Sequence, residues 1–153
     1  MSLPELAAAV EASDLAAFLK RDRWTYPAVN AAHLIGIALL VGAVVPMDLR
    51  LIGLWRGDIR LETALRLLRP VAGFGAGLAI LTGLLLFTVQ AGDYLRLPLF
   101  AFKLTLVALG LAHALSWGDR LAAAPRARQR RAGAVSLAIW LTVLVAGRML
   151  GYL

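Results

Sequence analysis

The sequence predicts an all-α integral membrane protein: an up-down bundle of four transmembrane helices preceded by a short interfacial amphipathic helix. Three observations carry that prediction. Hydrophobic residues make up 61 % of the 153 and charged residues 16 %, with a mean hydropathy of +0.78, whereas an average globular domain is about 45–50 % apolar and about 25 % charged. A soluble fold of 16.4 kDa lacks the interior volume to hide so much apolar side chain. The apolar residues gather into four runs, 28–46, 71–89, 99–117 and 132–150, each approaching the roughly 20 residues that cross ~30 Å of hydrocarbon. The runs show no period of two, and backbone in lipid must be satisfied within its own segment, so they read as helices rather than strands. Residues 1–153 form one transmembrane domain, without a soluble module, low-complexity segment or internal repeat.

Residues 1–22 read as one or two short amphipathic helices. Ser13 is placed to cap the second, and Leu15, Phe18 and Leu19 form an apolar stripe suited to the headgroup layer. The first residues lack a basic stretch followed by an uninterrupted apolar one, so no cleaved signal peptide is expected. Span one ends at Pro46, where a kink leads into a charged interfacial turn with Asp48 and Arg50, a plain ion pair being the simpler alternative. A second amphipathic piece, 61–69, leads into span two, with Pro70 kinking or restarting the helix. Trp24, Tyr26, Trp55, Tyr94, Trp117 and Tyr152 all fall near predicted ends, as an aromatic belt requires.

Loop charge orients the bundle. Arg50, Arg56, Arg60, Arg66 and Arg69 lie between spans one and two, and Arg120, Arg126, Arg128, Arg130 and Arg131 between spans three and four. Ten of the sixteen basic residues therefore share one side, which the positive-inside rule makes cytoplasmic. The expected location is the bacterial inner (cytoplasmic) membrane, with both termini on the non-cytoplasmic side. The net charge of +7 would suggest nucleic acid in a water-soluble protein; with its arginines between apolar runs, it points to lipid phosphate instead.

The absence of Cys rules out disulfide scaffolds, thiolate zinc sites, iron–sulfur clusters and cysteine nucleophiles. No HExxH, GxSxG, P-loop or dinucleotide fingerprint is present, and no pair of carboxylates lies within a span. Copper handling prefers soft donors, but the methionines are only Met1, Met47 and Met149.

The polar exceptions within the spans are the candidates for chemistry, because ionisable groups in hydrocarbon are costly and mark function by default. His33, Lys103 and Arg148 each lie about five residues from one membrane face, on the order of 8 Å deep at 1.5 Å per residue. His113 lies ~15 Å deeper than Lys103 and roughly 80° around the same helix, so those two form no common site. A single iron clamped between His33 and His113 would need ligands at similar depth. The spacing instead favours a haem or other planar cofactor ligated by one of them, with Lys103 and Arg148 meeting its acidic groups when the ligand is His33. The plain alternatives are imidazoles bonded to a carbonyl, to Asn30 or to Ser116, and cations that snorkel. Gly36 and Gly110 each lie three residues from a His and could face a macrocycle, although close helix packing is the stronger explanation for small residues. Gly73 and Gly77 form a GxxxG, with Ala76, Ile80 and Gly83 continuing the stripe, and offer a homodimer contact.

Two segments, HLIGIALLVGAVVPMDLR with His33, Gly42, Pro46 and Arg50, and FKLTLVALGLAHALSWGDRL with Lys103, His113, Trp117 and Arg120, resemble the four-span CopD-like superfamily, which includes HemJ-type protoporphyrinogen oxidases. The segment LTGLLLF ahead of Tyr94 is similar to the second span of that superfamily. The resemblance covers about residues 24–150. It implies a b-type haem in the bundle and electron transfer from a porphyrinogen to an acceptor such as quinone. It carries a ligand or redox role onto His33 and His113 and a propionate or substrate contact onto Lys103. The fourth span, RARQRRAGAVSLAIWLTVLVAGRML, lacks the Asn-Glu-x-Pro element of the HemJ type and carries Arg148 instead. The expectation is a related b-haem redox protein with its substrate unassigned. The alternatives are a copper-related accessory or transport protein and a non-catalytic structural subunit.

Overall fold

A computed structural model describes residues 2–55, 59–118 and 120–153; Met1 and Arg56, named above, lie outside them. The order is α1 (Leu3–Glu11), α2 (Asp14–Arg21), α3 (Thr25–Ile52), α4 (Leu61–Val89), α5 (Ala91–Arg96), α6 (Pro98–Trp117), α7 (Arg120–Ala123) and α8 (Arg126–Met149), closed by a 3₁₀ turn, Leu150–Tyr152. No strand occurs among the described residues. Four of these helices, α3, α4, α6 and α8, are long and apolar enough to cross a membrane, and the protein is a multi-pass, all-α membrane bundle.

The spanning helices are longer than the apolar runs that announce them. Helix α3 continues through Pro46 to Gly53, whose φ of 90° ends it by returning its N–H to the carbonyls of Leu49 and Arg50. Helix α4 begins at Leu61 and passes through Pro70 without a break, so residues 61–69 are its first turns and not a separate piece. Internal proline is tolerated in such helices because neighbouring helices and local adjustment re-satisfy the freed carbonyl. At the other end of the molecule α1 and α2 are separate short helices. Ser13 caps α2 by accepting the Ala16 N–H, while Leu19 is buried and Leu15 and Phe18 face outward.

Glycine sets the tightest contact. A Cβ on Gly75 would stand 2.5 Å from the Leu40 nitrogen and 2.8 Å from the Gly36 oxygen, and one on Gly36 would stand 2.6 Å from the Ala79 nitrogen. Only glycine lets α3 and α4 meet backbone to backbone there. Below this contact Leu40, Ala43, Val44, Met47, Leu65, Ala72, Ala76 and Trp140 form the main core. Helix α3 packs on α4 and on α8, and α8 packs on α6. Gly133 makes the α3–α8 approach: its Cβ would stand 2.8 Å from Leu51 Cβ and 2.9 Å from the Asp48 carbonyl oxygen. Gly110 seats α6 against Trp140 and Ile139 of α8. Helix α6 makes no comparable backbone approach to α3 or α4, and Gly110 is its one buried residue. The ring of helices is therefore open along the seam between α4 and α6. Aromatic stacking bridges that seam at one end, where Phe100 lies 5.5 Å from Phe87 and 5.2 Å from Tyr94 between ring centroids.

Candidate functional site

The two histidines are held near opposite ends of the bundle, and their ring nitrogens are used differently. His33, on the first half of α3, places Nδ1 3.1 Å from Thr82 Oγ1 of α4. The Thr82 hydroxyl has one hydrogen, and it is donated to the Leu78 carbonyl at 2.6 Å. Its oxygen is left to accept, and the Ala79 backbone carbonyl of α4 also accepts from the ring, so the imidazole turns its N–H toward α4, the carbonyl-bonded alternative that the sequence offers. With the N–H on Nδ1, facing Thr82, these fixed partners select the tautomer that leaves the lone pair on Nε2. Gly83, one turn from Ala79 on α4, makes room for the ring: a Cβ there would meet His33 Cε1 at 3.1 Å.

His113, near the end of α6, donates from Nε2 to the Ala132 carbonyl of α8 at 3.1 Å. Its ring stands edge-on to Trp117, with centroids 6.3 Å apart. The imidazole thus fastens α6 to α8 through Nε2, whereas His33 meets α4 through Nδ1. Ser116, the sequence alternative for His113, bonds instead to the His113 backbone carbonyl.

Lys103 and Arg148 also diverge. Lys103 is partly buried, lies within electrostatic reach of His33, and lays its ammonium against Gly147 of α8, where a Cβ would be 3.6 Å from Nζ. Among the described residues it has no hydrogen-bond or ion-pair partner. Arg148 turns outward, donating to the Tyr152 hydroxyl at 2.5 Å and stacking over that ring at 4.5 Å. The structure therefore joins His33 and Thr82 between α3 and α4, sets Lys103 between α6 and α8 where its charge reaches His33, and leaves Arg148 and His113 outside that group. Gly36 and Gly110 are committed to packing against α4 and α8, so neither faces a macrocycle.

At the same end, a depression of about 420 Å³ opens between Tyr94 and Arg96 of the α5 turn and Leu150 and Leu153. Burial, followed by the neighbouring Tyr26 and Asp93, holds the Tyr94 phenol above the usual tyrosine range, so it remains a hydrogen-bond donor there.

Two polar residues stand out that sequence reasoning passed over. Asp48 is only 3 % exposed, faces Ser136 of α8, and leaves Oδ2 without a partner. Its place beside Arg50 in the sequence suggests an interfacial turn, but the helix runs on for another turn and carries Asp48 inward. Gln129 is 5 % exposed and spends both amide hydrogens on the Leu121 and Ala122 carbonyls, at 3.3 and 3.0 Å. The sequence signal for both was a polar residue in register with apolar neighbours on a packed face. Soft donors are scattered: Met47 is in the core and Met149 faces outward. No group of three or more His, Asp or Glu gathers among the described residues. Compared with protein-family models, curated proteins and solved structures, the chain matches none.

Proposed function

We propose that the chain is a redox protein of the bacterial cytoplasmic membrane, related to the CopD-like superfamily, that binds a b-type haem through His33. The observation that carries this reading is the division of labour between the imidazoles. His33 bonds Thr82 through Nδ1 and the Ala79 carbonyl on the α4 side, which suits an Nδ1–H that leaves Nε2 to a ligand, and it feels the charge of Lys103, an ammonium without a partner among the described residues. Imidazole is a common axial ligand, and a lysine at that position suits a propionate. A bound haem supplies one-electron chemistry at the ligand side of the bundle. The protein's own contribution is to orient the ring through Thr82, to place a cation at Lys103 and to exclude water with apolar walls. The seam faces lipid, which favours a membrane-soluble partner such as a quinone or a porphyrin. The arginine asymmetry supports termini on the non-cytoplasmic side.

The test is the absorption spectrum of detergent-purified protein from haem-replete cells. A Soret band that shifts on dithionite reduction is expected in the wild type and in His113→Ala, and loss of that band in His33→Ala. A colourless wild-type preparation overturns the proposal and leaves a structural subunit, the reading that the packed Gly36 and Gly110 and the carbonyl-bonded His113 favour.

A further inference from the structure

At the end of the bundle opposite His33, a cleft of about 470 Å³ lies between the last turn of α3, the start of α4 and the start of α8. Arg50, Arg126 and Arg130 line it together with Gly53, Trp55 and Leu61, and among the described residues no carboxylate does. Arg126 and Arg130 are four residues apart, hence stacked on one face of α8. We infer that this cleft is a binding site for a phosphate group, presented by an anionic phospholipid headgroup.

The cleft is more than a patch of surface charge, because one of its arginines is held in place from within the fold. The buried Gln129 gives both N–H groups to the Leu121 and Ala122 carbonyls, which fixes its amide and turns Oε1 outward. That oxygen accepts from Arg126 Nη1 at 3.2 Å. A buried amide spent on aiming a guanidinium gives the structure a preset phosphate donor, and the guanidinium fork matches phosphate geometry. Arg50, at the end of α3, donates to the Ile59 carbonyl, so it too is held by the fold. Arg130 has no hydrogen-bond or ion-pair partner among the described residues.

The surroundings choose lipid. Leu54, Trp55 and Ile59, beside the cleft, are 75 %, 52 % and 57 % exposed; indole and aliphatic side chains displayed at the end of spanning helices belong at the boundary of hydrocarbon and headgroups. Gly53, in its left-handed conformation, has nothing within 4 Å of where a Cβ would stand, leaving the rim open. A headgroup phosphate can meet the arginines while its acyl chains follow the outer faces of α4 and α8. Basic pockets between spanning helices at one face are suited to this chemistry.

The experiment titrates the full chain in uncharged detergent with short-chain phosphatidylglycerol, short-chain phosphatidylcholine or inorganic phosphate, reading the thermal unfolding midpoint. A saturable rise with phosphatidylglycerol alone is expected. The double variant Arg126→Gln, Arg130→Gln weakens it by roughly tenfold or more. Arg128→Gln with Arg131→Gln, which removes equal charge outside the cleft, leaves the affinity within about threefold. Circular dichroism establishes that both variants fold. Should the first not fold, Gln129→Leu serves in its place, with an expected loss of several-fold. A rise with inorganic phosphate equal to that with lipid keeps the phosphate site and assigns it to a soluble anion. Equal response to phosphatidylcholine, or equal loss in the two double variants, overturns the site.

Discussion

A single hydroxyl decides what His33 can do. Thr82 has one proton; with Leu78 receiving it and the Ala79 carbonyl also accepting on this side, the expected N–H is on Nδ1 and the lone pair on Nε2. His113 has the opposite tautomer because a carbonyl can only accept. Nitrogen NMR of the cofactor-free protein therefore shows Nδ1 protonated in His33 and Nε2 protonated in His113; the same tautomer in both would contradict the assignment. Thr82→Val removes the acceptor and is expected to cost about 1 kcal/mol, with Thr82→Ser retaining wild-type stability. The identities of His33 and Lys103 as residues of interest were legible, because charge and imidazole in an apolar run stand out at once. Their partners were not: Thr82 lies 49 residues from His33, and periodicity says nothing about which side chain two helices bring face to face. Asp48 was obscured by the opposite fault, since a neighbouring arginine made a buried carboxyl look like part of a solvated turn.

The number and nature of the long helices follow from hydropathy alone, but their ends and contact faces do not. Pro46 and Pro70 read as boundaries because proline lacks the amide that continues a helix; within a membrane bundle the helix continues and the stop comes at Gly53. The glycines separate by face. Gly36 and Gly75 form the α3–α4 contact, whereas Gly73 and Gly77, the GxxxG pair, have nothing within 4 Å of a Cβ. Gly75→Ala is expected to lose about 2 kcal/mol or more, since backbone on both sides cannot yield. Gly73→Ala and Gly77→Ala should leave stability unchanged or slightly raised, because alanine is the better helix former. Reversible unfolding of the three variants in one detergent checks the order, and a loss at Gly73 equal to that at Gly75 would refute the division of faces.

For the whole molecule, the layout is an up-down ring left open between its second and third spans. Composition announces the bundle, yet nothing in it marks which seam fails to close, since that depends on where small residues and aromatic stacks fall. The N-terminal helices complete one end. Glu11 Oε1 accepts the Gly92 N–H at 2.7 Å, and Ala7, Ala16, Leu19 and Ala91 are buried as α1 and α2 settle on α4 and α5. Glu11→Ala should cost about 1 kcal/mol and speed amide exchange at Gly92 while leaving exchange in the core of α3 unchanged. Unaltered protection at Gly92 would show that this bond does not hold the end together.

That bond joins residues 81 positions apart, which has a consequence for synthesis. Helix α1, made before the spans, has no docking surface until two of them and the α5 turn have followed it. Its apolar side chains must rest on lipid in the meantime. A helix made ahead of the spans is thus among the later pieces to reach its final place, and assembly of this end reports that the first half of the bundle is already in the membrane.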